Sequence, residues 1–437
     1  MHDSARAQKG GPLSTSACPM GTSSAVSILL IGINYAPELT GIGPYTTGLA
    51  EHFAGQGHTV RVITGVPHYP EWRRGRAPSN GSSNPKVSRQ RHFVPRKPTA
   101  LGRMLYKASW LLSGTRALAV RRPQVVIGVI PSLSGGVLAW LAGRKFRVPV
   151  GLIFQDLMGP AAAQSGYRGG QRVAGLTRST EAFVARKADL VAIISDGFRG
   201  YLETAGVPTS RMQKVRNWAR VVPPTEPWGK TRTRLGWDPT DFVCLHAGNM
   251  GQKQGLDNVL EAADLLQGHH IRIVLTGDGN DRNRLIDRAK HLKLRNVSFL
   301  GLQPAGEFDA MLRAANVLLV NQRAMVGDMA LPSKLTSYLF SGRPIVAAVG
   351  AESNAATELQ AAGAGMIVPP GQPAALAGAI RELKTSPELA EQLGAQGIAY
   401  AQRHLTRQAA LAAFDVFLRD LTYGVAVPKG VGPLIDT

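Results

Sequence analysis

Two tandem α/β domains, each built on a doubly wound parallel sheet and facing a shared cleft, are predicted by three features of this 437-residue chain. The length suits two large cores at the usual ~150 residues or more per domain. Apolar, β-branched runs alternate with segments of helical period, which implies a parallel sheet covered by helices on both faces. The stretch Val221–Trp228, with three prolines, interrupts that alternation, which then begins again.

Taken in order, the first domain leads with an expected strand over Val26–Ile33, a helix over Tyr45–Ala54 and a strand over Val60–Thr64. Between Arg122 and Arg144 lie 21 residues without charge, a length that would cross a bilayer. Gly128, Pro131, Ser132, Ser134, Gly135 and Gly136 divide it, so it reads as a buried strand, Val125–Ile130, entering a helix through a turn. A further strand is expected at Val150–Phe154. The second domain repeats the pattern, with strands at Phe242–His246, Ile271–Thr276, Asn296–Leu300, Val317–Val320 and Pro344–Val349, and a helix over Leu256–Leu266. A final helical stretch, Tyr400–Leu421, sets Leu405, Leu411, Phe414, Phe417, Leu418 and Leu421 on a docking face. The expected division is a flexible extension over 1–24, a first domain over 25–216 and a second over 217–401. A helix over 402–422 is expected to pack back on the first domain, followed by a tail over 423–437.

Composition narrows the function classes. Hydrophobic residues make up 44% and charged residues 18%, with a mean hydropathy of -0.05, which fits neither a disordered chain nor a polytopic membrane protein. Cys18 and Cys244 stand alone, without a CxxC or Cys/His cluster, which excludes a disulfide framework and a cysteine zinc site and points to a reducing compartment. The first 24 residues hold no apolar run of signal-peptide type.

The net charge is +21, and it is unevenly placed. Residues 1–218 hold 28 basic and 9 acidic side chains, whereas residues 219–437 hold 22 and 20. Such a basic half meets nucleic acid, an anionic membrane surface or a phosphorylated substrate. Lys86–Lys107 is basic without an acid and interleaves Phe93, Leu101, Met104, Leu105 and Tyr106 before Trp110, Leu111 and Leu112, a combination suited to an interfacial helix on anionic lipid.

Two glycine-rich regions carry the chemistry. The first strand runs into Gly41-Ile42-Gly43 and then a helix, a unit that offers free backbone N–H groups to a diphosphate. It lacks the third glycine of GxGxxG and the acidic residue of a nicotinamide site. The second domain opens with AGNMGQKQGL and continues with TGDG, FLGLQP and LPSKLTSYLFSGRPI.

That ordered series resembles the nucleotide-sugar half of family 4 retaining glycosyltransferases of GT-B fold, in which two Rossmann-like domains face one cleft. The first-domain phrases GINYAPELTGIGPYT, HTVRVITGVPHYPEW, VPRKPTALGRMLYKASW and FQDLM, and the linker-side RNWA, are similar to those of colanic-acid-type exopolysaccharide glycosyltransferases. The resemblance runs from about residue 26 to 420.

The resemblance implies a donor site. Lys253 matches the lysine that meets the donor diphosphate, and Asn249 stands where many relatives carry a second cation, an arginine. Lys334 or a first-domain arginine is expected to compensate. Gly41 and Gly43 match the donor-contacting loop, Gly277 and Asp278 the TGDG turn, and Leu302 the position whose backbone faces the nucleobase. Ser333 and Lys334 match amides at a helix start that approach the phosphates. The family's two glutamates, eight positions apart, are replaced by Met329 and Ser337. Asp328 is then expected to meet the sugar and Ser337 a ribose hydroxyl.

Asp156 ends its strand facing the cleft, where a carboxylate orients or deprotonates an acceptor hydroxyl; a helix N-cap is its plainer reading. His68 is a second acceptor candidate. No Asp-x-Asp triplet occurs, so no divalent metal cofactor is expected.

The expected activity is retaining transfer from a GDP- or UDP-linked sugar, GDP-fucose by the nearest resemblance, to a polyprenyl-diphosphate-linked or other saccharide acceptor. The protein is expected in the cytoplasm, peripheral to an anionic inner-membrane surface met by the basic first domain. A GT-B nucleotide-sugar epimerase is the alternative. A nucleic-acid-binding protein is a weaker one, since no helix-turn-helix, zinc-finger or RNP phrase occurs and no nucleic-acid partner is expected.

Overall fold

The computed structural model describes residues 24–38, 41–69, 72–76, 84–95, 100–159, 170–219, 227–323 and 333–424. Among these, two parallel sheets form. The first has the order β3-β2-β1-β4-β5-β6-β7, with β1 Ser27–Ile31, β2 Thr59–Gly65, β3 Lys86–Gln90, β4 Val125–Ile130, β5 Val150–Phe154, β6 Leu190–Ile193 and β7 Met212–Lys214. The second has the order β10-β9-β8-β11-β12-β13, with β8 Phe242–Ala247, β9 Ile271–Thr276, β10 Val297–Leu300, β11 Val317–Asn321, β12 Ile345–Ala348 and β13 Gly365–Val368. Both orders reverse direction beside their first strand, β1 or β8, which is where a doubly wound sheet opens a crevice for ligand.

Side-chain alternation explains why helices cover both faces. In β1, Leu29 and Ile31 enter one core with Trp110 and Phe154, while Ile28 and Leu30 enter another with Phe53 and Phe417. The second sheet divides in the same way, with Val243 and Leu245 on one side and Cys244 on the other. Burial pushes the Cys244 thiol well above its usual range, so it behaves as a small apolar core residue.

The charge-free stretch is a strand and a helix, β4 followed by Leu133–Phe146. Among the described residues no helix is long and apolar enough to cross a membrane.

Two expectations need correction. Lys86–Gln90 is a charged edge strand, β3, rather than the start of an interfacial segment; basic side chains on an edge suit its unpaired flank. The amphipathic helix is Ala100–Ala117, which buries Trp110 and leaves Leu101, Met104, Leu105 and Leu112 exposed.

The last helical stretch is likewise two helices, Pro387–His404 and Arg407–Tyr423. Leu405 packs in the second-domain core, whereas Leu411, Phe414, Phe417, Leu418 and Leu421 pack in the first. The chain crosses between domains at the break. Thr406 caps the new helix, its hydroxyl oxygen accepting from the Ala409 N–H at 3.1 Å. The outgoing linker runs alongside, with the Ala219 N–H donating to the Leu405 carbonyl at 2.9 Å.

Candidate active site

The chain turns from β1 through Gly41 into the helix Gly43–Gly55. Gly41 has φ +64°, and a Cβ there would lie 3.0 Å from the Tyr69 ring, so the turn needs glycine.

Strand β5 delivers Gln155 and Asp156. The Gln155 side-chain carbonyl accepts from Asn217 Nδ2 at 2.6 Å. Two residues beyond Asp156, the buried Glu181 carboxylate accepts from the Met158 and Gly159 N–H groups at 2.6 and 2.8 Å, and from the Tyr201 hydroxyl at 2.7 Å. Asp156 is thus held between anchored neighbours. Burial raises its carboxyl to about 7, opposed by the positive charge of Lys253 on the other domain. That coupling places the two residues within electrostatic reach across the gap between the sheets.

Lys253 rides a short turn, Gln252–Gln254, after β8. Strand β11 fixes this turn: Asn321 Nδ2 donates to the Gln254 and Gly255 carbonyls at 2.6 and 2.9 Å, and the Arg323 N–H donates to the Lys253 carbonyl at 3.1 Å. The Lys253 side chain is left exposed, beside exposed Asn249. At the end of β9, Gly277 has φ +126°, and a Cβ there would fall 2.0 Å from the Gly248 carbonyl oxygen. Only glycine lets these two loops close on each other. Asp278 next to it is exposed and accepts from the Gly279 N–H at 2.8 Å.

Helix Ser333–Phe340 brings its first turn to the same place. The buried Tyr338 hydroxyl accepts from the Ala247 N–H at 2.7 Å and donates to the Ala247 carbonyl at 3.2 Å, pinning the helix to the end of β8. Lys334 Nζ then lies 3.2 Å from His246 Nε2 and 3.4 Å from Gln254 Oε1. Burial pushes Lys334 down to about 7. Burial and the Lys334 charge push His246 well below its usual range, so its imidazole is neutral and accepts from the ammonium.

The structure therefore gathers Asn249, Lys253, Gly277 and Asp278, on loops at the carboxyl ends of the second sheet, with Ser333 and Lys334 at a helix start. Leu302, just past β10, is 76% exposed there. Ser337 lies one helical turn beyond Ser333, partly buried. Asp328 and Met329 fall outside the described residues.

His68 differs from expectation. It is buried, with Nδ1 2.8 Å from the Val66 carbonyl and Nε2 2.8 Å from the Tyr106 hydroxyl, so both ring nitrogens are spent on the protein itself. His246, Gln254, Glu181 and Tyr338 were not singled out by the sequence reading. Their partners are distant in sequence, and only a histidine closing the apolar run of β8 hinted at the first.

Two concavities, of about 510 Å³ beside Asp241, Arg272 and Arg295 and about 350 Å³ beside Glu38, Trp218 and Arg407, include neither Asp156 nor Lys253. Among the described residues no group of three or more His, Cys, Asp or Glu side chains is placed to hold a metal ion.

Comparison with known proteins assigns the fold to a family. Residues 40–218 match the family described as glycosyl transferase 4-like domain, and residues 229–400 the family described as glycosyl transferases group 1. WcaI of Escherichia coli (strain K12), which carries the name of a colanic acid biosynthesis glycosyl transferase, is 34% identical over 338 residues, 72% of this chain and 82% of that protein. The chain belongs to glycosyltransferase family 4.

The family's GT-B architecture is equally evident in solved structures. Sucrose-phosphate synthase from Thermosynechococcus elongatus superposes with a TM-score of 0.71 at 19% identity, covering 90% of this chain and 98% of that one. HepE from Anabaena, solved in complex with UDP, gives 0.67 at 15% identity, covering 90% and 100%. This family 4 member is thus a glycosyltransferase of polysaccharide biosynthesis, homologous to WcaI. Asn249 and Ser337, where the resemblance leads to an expected arginine and glutamate, lie after β8 and in helix Ser333–Phe340.

Proposed function

We propose that this glycosyltransferase moves a sugar from a nucleoside diphosphate sugar to a lipid-linked saccharide, with retention at the anomeric carbon and without a metal. One arrangement carries the reading: Asp156 stands at the end of β5 in the first domain, and Lys253, on the turn after β8 in the second, opposes the burial of that carboxyl with its charge. The similarly folded HepE is solved in complex with UDP, which supports a nucleoside diphosphate as ligand.

In this reading, Lys253, Lys334 and the amides at the start of helix Ser333–Phe340 take the diphosphate, and Asn249, Gly277 and Asp278 line its approach. Gly41 and Gly43 close over it from the first domain, while Leu302 faces the base and Asp328 and Ser337 meet the sugar and ribose. Negative charge developing on the leaving diphosphate is stabilised by fixed cations and dipoles, the part a metal plays elsewhere. The acceptor hydroxyl oxygen forms the new bond to the anomeric carbon as the bond to phosphate oxygen breaks. Its proton passes to the departing diphosphate on the same face. Asp156, poised near neutrality, orients that hydroxyl.

The exposed Leu101, Met104, Leu105 and Leu112 on helix Ala100–Ala117, with Arg103 and Arg116 on the same helix, fit a peripheral seat on the anionic cytoplasmic face of the inner membrane. Such a seat brings the cleft to a lipid-linked acceptor.

The test is transfer from labelled UDP- and GDP-sugars to polyprenyl-diphosphate saccharides, with the product anomer read by NMR and activity compared with and without EDTA. Retained configuration and EDTA insensitivity are expected. An inverted product, or activity abolished by chelation and restored by a divalent ion, would refute the mechanism.

A further inference from the structure

Lys334 is a cation in an unusual position. Its ammonium lies, partly buried, against two uncharged groups, His246 Nε2 at 3.2 Å and Gln254 Oε1 at 3.4 Å. Strand β8 presents His246, the turn after it presents Gln254, and the backbone of Gly248 approaches closely: a Cβ on that glycine would stand 3.6 Å from Nζ. None of these is an acid. No salt bridge to Lys334 exists among the described residues, and burial lowers its proton affinity.

A buried ammonium without a counter-ion is costly, because desolvation is not repaid by attraction. The site relieves that cost in the free protein by letting the lysine lose its proton near neutrality, and His246 is itself held neutral. Lys253, on the turn that also presents Gln254, is exposed. The two lysines therefore differ in kind. An arriving diphosphate supplies a counter-charge that no described residue provides, and the charged form of Lys334 then becomes the favoured one.

Resting on the donor site proposed above, we infer that Lys334 takes up a proton as the nucleoside diphosphate binds, so that the cation absent at Asn249 is created by the ligand. His246 is the positioning residue. As a neutral acceptor it aims the Lys334 nitrogen toward the loop and adds no charge of its own.

Calorimetric titration with UDP and GDP at pH 8, in buffers of different ionisation enthalpy, reads the protons exchanged. At that pH the terminal phosphate of the free nucleotide is already ionised, and Lys334 is mostly neutral. Uptake approaching one proton per nucleotide is expected at pH 8, falling toward zero at pH 6. Lys334→Met should abolish the uptake and weaken binding at least tenfold. Asp156→Asn, which removes the other near-neutral group, should leave the uptake in place. Binding without proton uptake at pH 8, or uptake that persists in Lys334→Met or vanishes in Asp156→Asn, overturns the proton linkage while leaving the donor site standing. Absence of binding by either nucleotide overturns both.

Discussion

Arg216 Nε lies 3.0 Å from Glu358 Oε1, an ion pair that joins the chain just past β7 of the first domain to helix Asn354–Ala362 of the second. Tyr400 completes it, its hydroxyl donating to the same carboxylate oxygen at 2.8 Å and accepting from Arg216 Nη2 at 2.9 Å. Nearby, the Ser195 hydroxyl donates to Asn354 Oδ1 at 2.5 Å. Glu358 is nearly buried and Arg216 is one-fifth exposed, so Glu358→Gln leaves a partly buried guanidinium without its counter-ion. The expected loss is about 1–3 kcal/mol, below the range for fully buried pairs. A double-mutant cycle with Arg216→Met, read by thermal unfolding, checks it; additive losses would mean that the two side chains do not interact.

Asp156 links stability to pH in a definite direction. Its folded pKa is raised to about 7 from 3.8, so ionisation in the unfolded chain begins near pH 4 while the folded protein stays neutral up to about 7. Stability therefore falls between those values and levels off above. Asp156→Asn should gain on the order of 2–4 kcal/mol at pH 8 and almost nothing at pH 4, and should lose transfer activity. Equal melting shifts at both pH values would contradict the assigned burial.

Lys334 has the opposite trend. Its folded pKa is lowered to about 7 from 10.5, so below pH 7 both states carry the charge and the burial cost is complete. Between about 7 and 10.5 only the unfolded chain stays protonated, and stability recovers with rising pH. Lys334→Met should stabilise the ligand-free protein on the order of 2–4 kcal/mol at pH 6, with the gain fading by pH 10. A gain that grows with pH would reverse the assignment.

Helix Ala100–Ala117 yields a separate test. Leu101→Ser, Met104→Ser and Leu105→Ser together remove exposed apolar surface, so folding should be unchanged while sedimentation with anionic vesicles drops. Wild-type binding should weaken as salt shortens the screening length from ~10 Å at 0.1 M. Vesicle binding insensitive to both salt and substitution would remove the membrane from the account.

Much of the architecture was legible because it depends on local periodicity. The strands β1, β2, β4, β5 and β8 to β12 announce themselves as apolar runs, and their doubly wound order follows from the alternation with helices. Edge strands were harder to see. β3 is Lys-Val-Ser-Arg-Gln, polar because only one flank is paired, and β7 has three residues. The sequence reading places the return to the first domain at residue 402, but the helix break at Leu405 was hidden because the apolar pattern continues through it, although its side chains serve two cores. The same holds for the site. Lys253 and Asp156 could be placed by motif and strand end, whereas the neutral surroundings of Lys334 depend on β8, the following turn and a distant helix meeting in space.

The central claim is that the second-domain loops hold a nucleoside diphosphate with Lys253 in contact. Thermal-shift titration with GDP, UDP, ADP and CMP, against Lys253→Ala as control, tests it most directly. One diphosphate should raise the melting temperature, by the equivalent of about 2.7 kcal/mol at 100 times its Kd, and the variant should lose that response. No shift with any nucleotide at millimolar concentration, or an undiminished shift in Lys253→Ala, would contradict it.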